Sequence, residues 1–389
     1  MSRPSSAAVK KSKHFLFFTT ICGILAALIL LTGSITFFAA NRLMRHQVKP
    51  LETSVNNLMP PFEPASFLSI DDDINLSGWF FRATEKPKHI TVILVHDFNS
   101  NRAPFGSKTA NLIHSILADG YNVLTFDQRH AGNSDGQLTN FGHSEWLDVL
   151  GAIRYLEKAA GSADCILYSI GSGITASLNA WQSLHAPAQT ADSGRLSDVN
   201  KEPPLSQAKN FQTELIKHNI AQAALNQKHI KGMILDTALP TSDDYIRQAV
   251  RTYGGILAKL TARTVPSAVR LTGETGKSTD IKKITAELPC PILFIIPESR
   301  QGVSEDKLLE VPRARAVAKP ELTYAVDASN KVRNEPGSVE PETGSVATVT
   351  DTAHREEKIM NDSFSGDSYL YCQNISLFLE SLGDQVSSF

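Results

Sequence analysis

The sequence predicts an α/β domain with a mostly parallel central sheet flanked by helices, preceded by one N-terminal transmembrane helix. Two observations predict this arrangement. Short apolar segments alternate with amphipathic ones over most of the chain, which is typical of a parallel sheet with crossover helices. Residues 15–40 contain no charged residue, and as a helix they would reach about 39 Å, enough to cross a bilayer with some tilt.

The uncharged run favours an uncleaved anchor over a secretory signal. It is too long for the apolar region of a signal peptide, and Phe38 stands where cleavage requires a small residue. Residues 1–14 before the run form a basic tail, and residues 41–60 after it are predicted to be a tether. A slight excess of basic residues before the run places the N-terminus in the cytoplasm and the globular domain on the extracytoplasmic side.

The predicted domain covers residues 61–389, and its elements follow from apolar periodicity. Residues 145–158, for example, carry apolar side chains at helical spacing. Two polar stretches interrupt the alternation and are predicted to be surface insertions near residues 186–212 and 327–350. Residues 322–326 and 346–349 compete for the last strand. Strands are predicted at residues 67–74, 78–83, 89–96, 121–126, 165–168, 230–235 and 291–296, and helices at 107–117, 174–184, 213–228 and 368–382.

Composition argues against several classes of function. The 389 residues carry a formal net charge of −2, with no basic excess that would indicate nucleic-acid binding. The four cysteines, at positions 22, 165, 290 and 372, form no CxxC pair and are accompanied by no histidine cluster. We therefore predict neither a metal site nor a cofactor, and expect the cysteines outside the anchor to be buried free thiols.

The most informative segment is LYSIGSG at residues 167–173. It lies between a short apolar run and a helix-like run, the context of a nucleophile elbow. The elbow turn is tight, so residues two before and two after its centre must be small. Centring on Gly171 places Ser169 and Gly173 at these flanks, whereas centring on Ser172 places two β-branched isoleucines there. The favoured register therefore puts a glycine at the nucleophile position.

Three further motifs accompany the elbow. They are VHDF at residues 95–98, DQRHAGNSDG at 127–136 and GHSEWLD at 142–148. In this order the four motifs resemble those of the α/β-hydrolase fold over about residues 65–385. They look closest to bacterial membrane-anchored or secreted hydrolases related to serine aminopeptidases. Gly132 to Gly136 also satisfies G-x-S-x-G literally, but the resemblance places this loop one strand before the elbow, so Ser134 is predicted to belong to a structural turn.

The resemblance implies a role for each site position. The nucleophile position is occupied by Gly171, the acid position by Arg300 and the base position by His354. The backbone N–H groups of Phe98 and Ser172 would form the oxyanion hole. The family's small residue before Phe98 is replaced by Asp97, whose charge would oppose an oxyanion.

These departures predict loss of serine-hydrolase chemistry, because deleting the nucleophile of a catalytic triad costs on the order of a million-fold in rate. The predicted role is then to bind a small-molecule, acyl or peptide ligand or a protein partner of unknown identity, with the lipid bilayer holding the N-terminal helix. The alternative is an active esterase, lipase-like or peptidase-like hydrolase in which Ser169 or Ser172 replaces the nucleophile. Asp236 or Glu298 would then replace the acid. In a third hypothesis, the two insertions carry the function.

Overall fold

An eight-stranded sheet forms the centre of the domain. The computed structural model describes residues 6–184, 208–255, 258–272, 276–297, 300, 302–327 and 368–386. In sequence order the strands are β1 Glu63–Leu68, β2 Asn75–Phe81, β3 Thr91–Val95, β4 Asn122–Phe126, β5 Cys165–Ile170, β6 Ile230–Asp236, β7 Ile292–Ile296 and β8 Thr323–Asp327.

The spatial order of the strands is β1-β2-β4-β3-β5-β6-β7-β8. The pairs β1–β2 and β2–β4 are antiparallel, and all the others are parallel. Strands β3, β4, β5 and β7 are buried along their whole length, because helices cover both faces of a parallel sheet. The strand order and directions confirm the predicted α/β-hydrolase fold.

Helices cover the two faces of the sheet unequally. Helices α3 and α12 pack on one face with the apolar side chains of Val92, Tyr168 and Ile234. Helices α4, α5, α7, α9, α10 and α11 contribute to the core on the other face. The helices are α1 Ser6–Met44, α2 Thr53–Leu58, α3 Lys108–Ala118, α4 Trp146–Ala160, α5 Gly173–Ser183, α6 Ala208–Gln222, α7 Ser242–Tyr253, α8 Ala258–Thr261, α9 Val265–Thr272, α10 Ile281–Glu287, α11 Glu305–Ala318 and α12 Ser368–Val386.

Element boundaries differ from the sequence predictions by a few residues. The helix predicted at residues 213–228 is α6, which begins five residues earlier, within the first polar stretch. A last strand forms at β8, in agreement with residues 322–326 of the two candidates. Residues 346–349 and most of both predicted insertions lie outside the described residues.

Helix α1 contains a stretch, Phe17–Met44, that is long and apolar enough to cross a membrane. Its N-terminal part is exposed, but its last turns pack against α7, α8 and α9. The buried residues Thr36, Ala40, Leu43 and Met44 lie on one face of the helix, because Ala40 follows Thr36 by four positions and Leu43 and Met44 follow Ala40 by three and four. The Thr36 hydroxyl is 2.8 Å from that of Thr264, in the turn between α8 and α9.

Residues 41–60, predicted to be a tether, follow the surface of the domain closely. The Asn101 amide donates to the carbonyl oxygens of Lys49 and Pro50, at 3.4 and 3.2 Å. Val55 of α2 is buried against the core on the α3 and α12 face. The segment between α1 and the sheet thus contacts the domain at several points along its length.

The packing of the anchor's end predicts a stability difference between two leucines of the same helix. Leu43 is 7% exposed within the core, whereas Leu31 is 57% exposed. Leu43→Ala should lower the free energy of unfolding by about 2–5 kcal/mol, because it leaves a cavity. Leu31→Ala should change it by less than about 0.5 kcal/mol. Urea unfolding of the full chain in detergent, followed by tryptophan fluorescence, measures both, and equal effects would show that the helix end is not packed.

Candidate functional site

The elbow is formed by the turn between β5 and α5. Gly171 lies at its centre with a φ of +53°, in the left-handed region that favours glycine. Its N–H donates to the carbonyl of Asp236 on the neighbouring strand, at 3.0 Å. A Cβ added at Gly173 would come within 2.5 Å of the Val95 carbonyl oxygen, so the backbone requires a glycine at this flank.

The place of a nucleophile's side chain is filled by another residue. A Cβ built on Gly171 would lie 2.2 Å from Cγ of Asp97 and 2.3 and 2.4 Å from its two carboxylate oxygens. Real Cβ atoms are not found at such distances, so a side chain at position 171 and this carboxylate exclude each other.

The same carboxylate occupies the predicted oxyanion hole. Oδ1 of Asp97 accepts hydrogen bonds from the N–H groups of Phe98, at 2.7 Å, and Ser172, at 2.6 Å. Donors of an oxyanion hole lie about 2.7–3.1 Å from the oxygen that they stabilise. Asp97 therefore supplies the negatively charged oxygen that a reaction intermediate would otherwise bring. The sequence predicted that this charge would oppose an oxyanion, and the structure places the charged oxygen within reach of both donors.

Arg300, at the predicted acid position, neutralises this carboxylate. Its Nη2 lies 3.0 Å from Oδ2 of Asp97, and each of the two side chains is 4% exposed. The guanidinium also lies over the ring of Tyr245, 5.8 Å from the ring centroid. A buried charge requires a partner of opposite sign, and Arg300 provides it from the segment after β7.

His96 fixes the backbone that presents Asp97. Its Nδ1 is 2.8 Å from the carbonyl oxygen of Asp97, and its Nε2 accepts from the N–H of Gln128 at 3.0 Å. Burial lowers the pKa of this imidazole. The neutral tautomer that donates through Nδ1 and accepts through Nε2 satisfies both bonds.

The two substitute nucleophiles are engaged in hydrogen bonds of their own. Ser169 is fully buried, and its hydroxyl lies 2.6 Å from that of Ser177. The Ser172 hydroxyl accepts from the N–H of Phe98 at 2.8 Å. His354, the predicted base, and Glu298, the second substitute acid, lie outside the described residues, so the structure describes no contact between either and these serines.

Asp236, the first substitute acid, is held on the α12 side of the sheet. Its Oδ2 accepts from the Tyr371 hydroxyl at 2.7 Å, and its Oδ1 accepts from Thr237 at 2.8 Å. The Tyr371 hydroxyl also contacts that of Tyr168. Burial raises the pKa of both tyrosines well above its ordinary value, so both remain protonated near neutral pH.

Aromatic rings close the space beside Asp97. The Phe98 ring stacks on that of Phe141, with 4.3 Å between centroids, and it also contacts the His46 ring at 4.6 Å. His46 follows α1 by two residues, so the end of the anchor covers the site. The remaining cavity has a volume of about 20 Å³, which is room for about one water molecule.

The loop containing Ser134 forms a structural turn, in agreement with its predicted role. The Ser134 hydroxyl donates to the Asp127 carbonyl at 2.6 Å and accepts from the Ser77 N–H at 2.9 Å. The Asp127 carboxylate binds the guanidinium of Arg102 at 2.6 Å and the N–H of Asn133 at 2.8 Å. Ser134 thus belongs to the frame that supports the elbow.

Sequence reasoning missed two features of the site. His46 belongs to no motif, and its position shortly after the apolar helix is the one feature of the sequence that could have indicated a role. The pairing of Asp97 with Arg300 could have been suspected from the sequence, since residues of opposite charge stand at two positions that the resemblance places around one centre. Among the described residues, no group of three or more His, Cys, Asp or Glu side chains could hold a metal ion.

The buried pair predicts strong energetic coupling between its partners. Arg300→Met should lower the free energy of unfolding by about 3–5 kcal/mol, because it leaves the Asp97 charge without a cation. The double variant Asp97→Asn/Arg300→Met should lower the free energy of unfolding by less than the sum of the effects of the two single variants. Urea unfolding measures the cycle. Lys217→Met, which removes an exposed ion pair with Glu214, serves as the control, and additive effects at Asp97 and Arg300 would refute the coupling.

His46 predicts a pH dependence of stability. Burial, followed by the nearby His130, lowers the pKa of His46 from 6.5 to about 4. Between these values the unfolded chain binds a proton that the folded chain does not, so stability should fall as the pH drops from 6.5 towards 4. His46→Phe should reduce the loss of stability between pH 7 and pH 5. The control variant His114→Gln, which replaces an exposed histidine, should show the same loss of stability between pH 7 and pH 5 as the wild type. An equal loss in His46→Phe and wild type would contradict the assignment.

Comparisons with known proteins give the following findings. No protein-family model matches the chain, and no curated protein matches it. The esterase Pf2001 of Pyrococcus furiosus shares 17% identity at a TM-score of 0.47, with 72% of this chain and 88% of that chain covered. The esterase RhEst1 of Rhodococcus sp. ECU1013 shares 11% identity at a TM-score of 0.45, with 82% and 99% covered. The alpha/beta hydrolase GrgF of Penicillium sp. sh18 shares 15% identity at a TM-score of 0.42, with 69% and 90% covered.

Proposed function

We propose that this chain is a membrane-anchored α/β-hydrolase-fold protein that has lost serine-hydrolase chemistry. The observation that carries the proposal is the Asp97 carboxylate, which holds both oxyanion-hole donors and fills the space of a nucleophile's side chain.

The chemistry of acyl transfer supports this proposal. A tetrahedral intermediate develops negative charge on an oxygen that the two N–H groups must bind. Here that oxygen would meet a carboxylate of the same sign. Displacing Asp97 would break its buried pair with Arg300, a loss of about 3–5 kcal/mol for pairs of this kind. The residual rate that an oxyanion hole alone provides is lost as well.

The hydrogen bonds of the substitute serines also favour loss of activity. A working nucleophile donates its proton to a base. The hydroxyl of Ser172 instead lies against the Phe98 N–H, and that of Ser169 is paired with Ser177 inside the core. An active hydrolase would require the elbow to be remodelled around one of them.

Ligand binding at this site would require a change in the covering rings. An acyl or peptide ligand exceeds a cavity of about 20 Å³, so Phe98 or His46 would have to move to admit it. We propose that the present role is binding without turnover, through a ligand that displaces these rings or through a protein partner.

The proposal also includes the membrane anchoring of α1 and descent from a family of hydrolases. The apolar part of α1 would hold the protein in a bilayer, with the domain on the extracytoplasmic side because of the basic residues at positions 1–14. The motifs at residues 95–98, 127–136 and 142–148 favour descent from hydrolases related to serine aminopeptidases.

A fluorophosphonate probe tests the loss of chemistry on the full chain in detergent. We expect no labelling of the wild type and no hydrolysis of short p-nitrophenyl esters, because no activated serine faces an open oxyanion hole. The variant Gly171→Ser/Asp97→Gly opens the hole and places a hydroxyl in the elbow, and its labelling would demonstrate that the probe reaches the site. Wild-type labelling that disappears in Ser172→Ala or Ser169→Ala would establish an active hydrolase instead.

A further inference from the structure

The point at which α1 meets the domain fixes how far the domain lies from a bilayer. Residues 29–34 of α1 are exposed, and Ile35 is partly buried. From Thr36 onward one face of the helix is buried against the domain, with Ala40 and Leu43 on the same face. Because the helix continues without a break to Met44, the domain is attached rigidly rather than through a flexible linker.

The length of the free part of the helix matches a membrane. As an α-helix, residues 15–35 rise about 31 Å. The hydrocarbon core of a bilayer is about 30 Å thick. The apolar residues that precede the docked face are thus just sufficient to cross the core, which places Thr36 at the boundary between hydrocarbon and headgroups.

A hydrogen bond places part of the domain at the same depth as Thr36. The Thr264 hydroxyl lies 2.8 Å from the Thr36 hydroxyl, so the turn between α8 and α9 is also at the boundary. Arg263 in this turn is exposed and forms no ion pair with any residue that the structure describes. Phe37 and Phe38, each 64% exposed, follow Thr36 on α1, so apolar rings face outward beside the docked turn.

We propose that the α8–α9 turn, residues 262–264, lies in the headgroup layer of the membrane that holds α1, with Arg263 bound to lipid phosphates. A guanidinium binds a phosphate through two parallel hydrogen bonds, and at the depth of this turn the phosphates are those of phospholipid headgroups. The inference rests on the proposed anchoring of α1, but not on the loss of catalysis.

The arrangement also places the filled site close to the bilayer. Met44 is at most about 12 Å beyond Thr36 along the helix. His46 is two residues further on, which adds at most about 7 Å. Since its ring contacts Phe98, a ligand that enters by displacing His46 would do so within about 19 Å of the headgroups.

Site-specific quenching in vesicles tests this placement on the full chain. Single cysteines at Arg263, Leu25 and Glu157 are labelled with an environment-sensitive fluorophore in a Cys22→Ser background, in which the three other cysteines are buried. The vesicles contain phosphatidylcholine and phosphatidylglycerol, with nitroxide quenchers on either the headgroup or the acyl chain. Glu157 is the matched control, since it is exposed near the end of α4, which packs on α5, β1 and β3, whereas α1 packs on α7, α8 and α9.

We expect the headgroup quencher to reduce the emission of Arg263→Cys several-fold more than that of Glu157→Cys. The acyl-chain quencher should act mainly on Leu25→Cys. Equal quenching at positions 263 and 157, with Leu25→Cys quenched, would overturn this inference and leave the anchoring intact. An unquenched Leu25→Cys would overturn the anchoring and this inference with it.

Discussion

The structure of the site depends on one buried carboxylate. Asp97 accepts hydrogen bonds from the Phe98 and Ser172 N–H groups and pairs with Arg300. Burying a charge costs free energy unless such partners are present, so the loss of one of these contacts would destabilise the others. The glycine at position 171 belongs to the same set, because any larger residue there would collide with the carboxylate. Gly171, Asp97 and Arg300 therefore depend on one another, and together they place a carboxylate oxygen within hydrogen-bond distance of the Phe98 and Ser172 N–H groups.

The frame around this centre is that of the hydrolase fold and does not rely on a catalytic triad. Asp127 pairs with Arg102, and Asp148 accepts four hydrogen bonds from Arg129, so the loop before the elbow is held independently of position 171. Burial raises the pKa of Asp148 to about 6 even beside its arginine. Polar networks of this kind specify loop geometry, so the shape of this loop does not depend on which residue occupies position 171.

The anchor and the site form one continuous structure. One face of α1 packs on the α7, α8 and α9 helices, and two residues beyond its end His46 lies on Phe98. Between α1 and the sheet, Val55 is buried against the domain. The residues that follow α1 thus return to the domain, and His46 among them lies over the site.

The elements and the elbow register could be predicted from the sequence, because apolar periodicity and steric limits act over a few neighbouring residues. Ser169 and Gly173 pointed to Gly171 in this way. What fills the elbow could not be predicted, since Asp97 and Arg300 are 203 positions apart and their contact requires the folded sheet. The same holds for the closure of the site by His46, because no local pattern specifies where the end of a long apolar helix packs. Short-range chemistry can be predicted from sequence, whereas the pairing of a buried charge depends on the complete fold.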